Sequence, residues 1–363
     1  MNTLELRVDV TKSADLGEPA HLAVSVTLPD PAALPARPVV CFAKPGGGYS
    51  RGYYTSDLPG PAKGAQAEWH ARQGWIMVSV DHLGVGDSSL HEQTKLDYVR
   101  LSATAHEAEA EVLRRLAEGT LADGFPPIAD PLRLGIGQSM GGLMTIIQQG
   151  QFHDYDGIAV LGYSAIHTIA RAAPGMPENI QPWFGRDTLL QDPVRILNAT
   201  VLARGEEEIG ATVRPANQGS RMAWGFFYDD VDPEIVRRDL AHFDRLNFHD
   251  SKAHEGHERQ PWTSFTFPAP VAVSSVTPGI CAVEAAAVRV PVLAAFGEHD
   301  VARHPLDEPR AYLSAPSVDV FVCPRMGHMH NFAGTRELFW QRIATWADWV
   351  RAATEAGISG AGL

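Results

Sequence analysis

The pentapeptide Gly137-Gln138-Ser139-Met140-Gly141 stands between a short apolar stretch, LRLGI, and a helix-forming one, GGLMTIIQQGQF. A chain that passes from strand to helix within so few residues strains the backbone of the corner residue. The neighbours two before and two after it must be nearly devoid of side chain. Such a corner requires a buried strand end covered by a helix, which is the construction of a mostly parallel sheet wrapped on both faces.

The flanking sequence repeats that rhythm. LELRVDV and HLAVSVTLP alternate apolar and polar residues and read as an opening pair of half-buried strands. RPVVCFA and WIMVSVDH are short continuous apolar runs, as expected of strands buried on both faces. Helices are expected at GAQAEWHARQG and at LDYVRLSATAHEAEAEVLRRLAEG, the latter stopped by Gly119. YDGIAVLGYS is a further strand. From about residue 165 no clear buried strand follows for more than a hundred residues. Helical pieces (DTLLQDPVRILNATVLA, DPEIVRRDLAHFDRL) mix there with Pro, Gly and aromatics. Alternation resumes with VPVLAAFG, a helix around DEPRAYLS, the strand VDVFVCP and a last helix in which Phe339, Ile343, Trp346 and Val350 share one face. The expectation is an α/β core of residues 1–164 and 286–363, with residues 165–285 inserted as a helical cap.

A second Gly-x-Ser-x-Gly, Gly48-Tyr49-Ser50-Arg51-Gly52, competes with the first. Ser139 follows a strand and precedes a helix, whose N-terminus favours developing negative charge. Ser50 follows KPGGG and precedes the turn formers YYTSDLPGP, so Ser139 is the expected nucleophile. Gly46, Gly47 and Gly48 at a strand end offer unhindered backbone N–H groups. Gly47, Gly48 and Tyr49, together with the N–H of Met140 after the nucleophile, are the candidate oxyanion donors. The hydroxyl needs a base. His328 lies just past the last strand in CPRMGHMHNF, with His330 as its competitor two residues on. The orienting acid is expected past a strand end too, and GEHDV offers Asp300 and, less well placed, Glu298.

With KPGGGY, DHLGVGDSS, GQSMGG, GEHDV and MGHMHNF in this order over residues 38–350, the chain resembles the α/β-hydrolase fold family. The resemblance implies an eight-stranded, mostly parallel sheet, a Ser139–His328–Asp300 triad, no cofactor and no metal. It also implies an ester, lactone, thioester or amide substrate. Lys44-Pro45 replaces the His-Gly that opens the oxyanion loop of many esterases. A serine at the elbow argues against dehalogenase or epoxide hydrolase chemistry, which uses aspartate. The resulting expectation is hydrolysis of a carboxylic ester or lactone. Amide or carbon–carbon bond hydrolysis, and a non-catalytic ligand-binding relative, are the alternatives.

The cap is rich in aromatics, and Trp183, Trp224, Phe227 and Tyr228 are expected to roof an apolar pocket for a bulky small molecule. HDSKAHEGHE, with His249, Asp250, His254 and His257, has no recognised metal spacing. Thirty Lys and Arg against 43 Asp and Glu leave a net charge of −13 in 363 residues, which disfavours nucleic acid and anionic membranes. Cys41, Cys281 and Cys323 form no ligand or disulfide pattern. No signal peptide or membrane span is evident, so a cytoplasmic protein is expected. The apolar cap and the tryptophan-rich last helix are compatible with a homo-oligomer.

Overall fold

The computed structural model describes residues 2–169, 173–175, 183, 185–186, 221–246, 256 and 258–358. Eight strands form one sheet: β1 (Asn2–Asp9), β2 (His21–Leu28), β3 (Val39–Lys44), β4 (Ile76–Val80), β5 (Leu132–Gln138), β6 (Gly157–Leu161), β7 (Val292–His299) and β8 (Val318–Gly327). Their spatial order is β1-β2-β4-β3-β5-β6-β7-β8. β1 and β2 pair antiparallel, as do β2 and β4, and every pair from β4 to β8 is parallel. The order reverses at β3, so the ends of β3 and β5 lie side by side where ligands gather on such sheets.

β3 shows why its sequence is a continuous apolar run. Val40 and Phe42 belong to the core on one face, and Val39, Cys41 and Ala43 to the core on the other. The first face is covered by α4 (Tyr98–Glu118) and α5 (Met140–Phe152). The second carries α3 (Gln66–Ala71) and the last helix, α10 (Arg336–Glu355). The expected stripe of α10, Phe339, Ile343, Trp346 and Val350, is buried. Asp97 caps α4 by accepting from Arg100 N at 2.8 Å, and Gly119 ends it in the left-handed conformation. Shorter helices are α1 (Thr11–Ala14), α2 (Gly52–Thr55), α6 (Arg221–Phe226), α7 (Pro233–Leu240), α8 (Ala269–Val276) and α9 (Ala282–Ala287). The helix expected around DEPRAYLS is a 3-10 turn, Pro305–Arg310.

Within the expected cap, α8 and α9 pack with the core. Val271, Val273, Ile280, Cys281 and Ala285 join the cluster that α4 and α5 make on the sheet. The pair supplies the helical crossover that parallel β6 and β7 require, so residues 269–285 serve the core. Their Ala and Val content gave no strand signal, which is why they read as cap. The expected helix DTLLQDPVRILNATVLA lies outside the described residues, as do His249, Asp250, His254 and His257. Among the described residues no helix is long and apolar enough to cross a membrane.

Lys44 closes β3 with its side chain turned inward. Its ammonium is buried and bonds Glu109 Oε1 and Tyr155 Oη, each at 2.6 Å. Glu109 also accepts from Tyr155 at 2.6 Å and Gln148 at 2.8 Å. Burial pushes the Glu109 carboxyl up and Lys44 opposes that shift. Lys44→Met strands a buried acid and is expected to lower stability by about 3–5 kcal/mol. Adding Glu109→Leu is expected to restore most of that loss in urea denaturation.

Candidate active site

Ser139 sits at the junction of β5 and α5 with φ 55° and ψ −119°. Asp15 and His153, also at positive φ, adopt the ordinary left-handed helical conformation. Ser139 lies far from it in ψ, in a strained region. The corner closes because Gly137 and Gly141 have no β-carbon: one on Gly137 would fall 2.0 Å from Gly141 O, and one on Gly141 2.1 Å from Lys44 O. Ser139 N donates to Leu161 O at 2.8 Å, tying the corner to β6, and Gly142 N donates to Ser139 O at 2.8 Å. The first N–H groups of α5 have no acceptor within the helix, so Met140 presents a backbone donor at the serine.

Asp300 follows β7 and His328 follows β8, and adjacent strands bring them together. His328 Nδ1 lies 2.7 Å from Asp300 Oδ1, and His330 Nε2 lies 2.8 Å from Asp300 Oδ2. Val301 N and Gly297 N donate to the same two oxygens at 2.7 and 2.8 Å. All three side chains are buried. Burial would raise the Asp300 carboxyl, but His328 and His330 outweigh it and hold the acid well below its usual range. Burial lowers His330 against the opposing pull of Asp300. Glu298, the other candidate acid, lies at the end of β7 and accepts from Arg325 N at 2.9 Å.

Because Nδ1 donates to Asp300, His328 Nε2 keeps its lone pair. That lone pair is met by Gln138: its amide nitrogen lies 3.2 Å from His328 Nε2 and 3.0 Å from His328 O. The backbone carbonyl fixes which end of the amide faces the histidine. Gln138 Oε1 is left buried without a partner, beside Gly46. Ser139 Oγ has no hydrogen-bond partner among the described residues. Asp300 and His328 are thus brought together, and His328 Nε2 is met by Gln138, the residue before Ser139 in the chain. Gln138 is a residue the motif treats as variable, and only contacts across 190 positions reveal its part.

The glycine loop lies against the serine. A β-carbon on Gly46 would fall 3.1 Å from Ser139 Cβ, and Gly47 lies under the Phe267 ring. Tyr49 N donates to Gly46 O at 3.2 Å, so among the expected oxyanion donors its N–H is spent on the turn. Gly47, Gly48 and Met140 remain. The loop is held from below by His82, whose Nε2 lies 3.0 Å from Pro45 O, and by Tyr54 Oη, which donates to Lys44 O at 2.9 Å. Burial lowers His82 to about 4. Ser50 is buried with its hydroxyl donating to Pro261 O at 2.7 Å. The second Gly-x-Ser-x-Gly ties the loop to Pro261, and among the described residues no histidine bonds Ser50.

The cap contacts differ from a simple roof. Trp183 is 71% exposed. Trp224 stacks on His299 at 4.0 Å and Tyr228 leans on the same ring at 5.0 Å, while Phe227 is in the core against Phe332. Phe226 is the aromatic that packs on His328, at 4.8 Å, and it also meets Phe243. His328 N and Met329 N donate to Gly225 O and Phe226 O at 2.9 and 2.8 Å, so the AWGFFYDD segment clamps the histidine loop. Phe226 and Phe243, with Phe267 over Gly47, are the aromatics that meet the loop and the histidine. Phe226 stands one residue from the expected Phe227, on the short helix α6, whose period cannot be read from so few residues.

No family model matches the chain, and no curated protein matches it. Solved structures do. A proline iminopeptidase of Mycobacterium smegmatis is 15% identical, covering 97% of this chain and 100% of its own, with a TM-score of 0.56. A thermophilic esterase from Thermogutta terrifontis is 16% identical over 95% and 99%, at 0.53. An enol-lactonase from Burkholderia xenovorans is 12% identical over 90% and 96%, at 0.52. With the strand order and the elbow, these likenesses establish the class: the chain has the α/β-hydrolase fold.

Gly162 (φ +59°) borders the acid–base pair, and a β-carbon there would fall 3.0 Å from His328 Nδ1 and 3.2 Å from Asp300 Oδ1. Gly162→Ala is expected to destabilise by about 1 kcal/mol or more from the backbone alone. It is also expected to lower kcat on activated esters by roughly 100-fold through displacement of the imidazole. Steady-state kinetics and thermal melts check both. His82 yields a pH prediction. The unfolded imidazole takes a proton below about 6.5, whereas the folded one resists until about 4. Its contribution is therefore complete above 6.5 and is lost as pH falls towards 4, by up to roughly 3 kcal/mol. His82→Gln is expected to flatten that part of the stability–pH curve.

Proposed function

We propose that the chain is a serine hydrolase acting on a carboxylic ester or lactone of a mainly apolar small molecule through an acyl-enzyme. The observations that support this reading are the strained Ser139 elbow, the buried Asp300–His328 pair at 2.7 Å, and the reach of Gln138, next to Ser139 in the chain, to His328 Nε2. In this reading Gln138 yields His328 Nε2 to the serine. His328 takes the Ser139 proton as Oγ attacks the carbonyl carbon. Asp300 stabilises the imidazolium without accepting its proton. The negative oxygen is received by N–H groups of Met140 and of Gly47 or Gly48. His328 then protonates the leaving alcohol, water attacks the acyl group, and the serine is released.

The apolar class of substrate is supported by Phe226, Phe243 and Phe267 around the loop and base. The enzyme is proposed to need no cofactor. Ser139→Ala is expected to lower kcat by at least about 1000-fold on p-nitrophenyl esters with an unchanged fold. A fluorophosphonate is expected to leave one adduct on Ser139, mapped by peptide mass spectrometry. An adduct on Ser50, or wild-type rates in Ser139→Ala, overturns the reading.

A further inference from the structure

His242 lies in the cap, on the 3-10 turn Ala241–Arg245 that follows α7, yet it reaches the glycine loop of the core. Its ring is buried, packed edge-on against Tyr49 at 5.0 Å and against Phe243 at 4.1 Å. Nδ1 lies 2.5 Å from the Asp239 carbonyl, an acceptor, so Nδ1 carries the proton. Nε2 is therefore the lone-pair nitrogen. It faces Gly48, where a β-carbon would fall 3.1 Å from it, and among the described residues it has no hydrogen-bond donor as partner. The Gly48 carbonyl beside the ring accepts from Ser264 N at 2.8 Å and, being an acceptor, cannot complete a lone pair.

A buried acceptor without a donor is costly and rare, and such an atom at a site is commonly completed by a ligand. Its setting is rigid. The Asp239 carboxylate is buried and fixed by Tyr49 Oη at 2.7 Å and Trp262 Nε1 at 2.8 Å, which pins the turn that carries His242. Aromatic rings border it: Phe243 touches Gly48 and Phe226, and Phe226 touches His328. Gln138 Oε1, at the other end of the loop beside Gly46, is a second buried acceptor without a donor. The oxyanion loop is thus bordered by acceptors that a plain hydrocarbon acyl group leaves unpaired.

We infer that His242 selects acyl substrates bearing a hydroxyl or N–H donor close to the reacting carbonyl, by accepting that hydrogen bond at Nε2. The inference rests on the hydrolase reading above and narrows its substrate class. The donor is held while the carbonyl oxygen lies against the glycine loop, so the bond orients the acyl group without taking part in bond breaking. His242 is a specificity-determining residue.

The test compares kcat/KM for p-nitrophenyl butanoate with that for its 2-hydroxy and 3-hydroxy counterparts. The wild-type protein is expected to prefer at least one hydroxylated ester by roughly 10- to 100-fold. His242→Phe keeps the ring and removes the acceptor, and the ratio is expected to fall to near one. His242→Gln restores an acceptor near Nε2 and is expected to recover part of the preference. No preference in the wild type, or an unchanged ratio in His242→Phe, overturns the inference. Fluorophosphonate labelling run alongside keeps the two readings apart. A wild-type protein labelled at Ser139 but without preference refutes the selectivity alone, whereas absence of labelling refutes the hydrolase reading.

Discussion

The Asp300 carboxylate accepts four hydrogen bonds, two from imidazoles and two from backbone N–H groups, in a place where water does not reach. An ionised group buried this deeply is tolerable only when all its acceptor capacity is used. That demand fixes much else. It sets the protonated nitrogen of His328, turns its other nitrogen towards Gln138 and the serine, and holds His330 against Phe339 as the second partner. It also dictates the sheet order, since only neighbouring strands β7 and β8 can deliver acid and base to one point. Gly162, at the end of β6, leaves the volume that the pair occupies.

The parts of the site legible in sequence are those that a strand end dictates. Ser139, Asp300 and His328 each directly follow a strand, and adjacency of β7 and β8 brings Asp300 and His328 together. The core strands and the long helices α4 and α10 were legible for the same reason, because burial on one face or both leaves a period in the residues themselves. Illegible parts depend on distant contacts. Lys44 reads as a polar residue at a loop, yet it points inward to Glu109 and Tyr155. Ser50 sits in the same Gly-x-Ser-x-Gly pattern as the elbow, but its hydroxyl is bound to Pro261 O across 211 positions. The crossover helices α8 and α9 read as cap because small apolar residues carry no distinctive spacing.

The glycine loop draws its shape from both sides. From the core come His82 to Pro45 O and Tyr54 to Lys44 O; from the cap side come Ser264 N to Gly48 O and the Asp239 carboxylate to Tyr49 Oη. A loop of three glycines is intrinsically floppy, and oxyanion donors act only when they are already aimed. The surrounding hydrogen bonds supply the order that the glycines lack. Most come from residues far away in sequence, so the loop's conformation is set by the completed tertiary structure.

Tyr49 bridges to Thr263, and Ser50 N and Oγ bond the carbonyls of Trp262 and Pro261. Residues 261–264 are therefore stitched by main-chain bonds to the glycine loop. Under the proposed function, a change at residues 261–264 displaces the loop proposed to receive the negative oxygen, so substrate range and turnover share one mechanical frame. Phe226 meets His328 through its ring and Met329 N through its carbonyl, so a change of its side chain alone leaves that main-chain clamp in place.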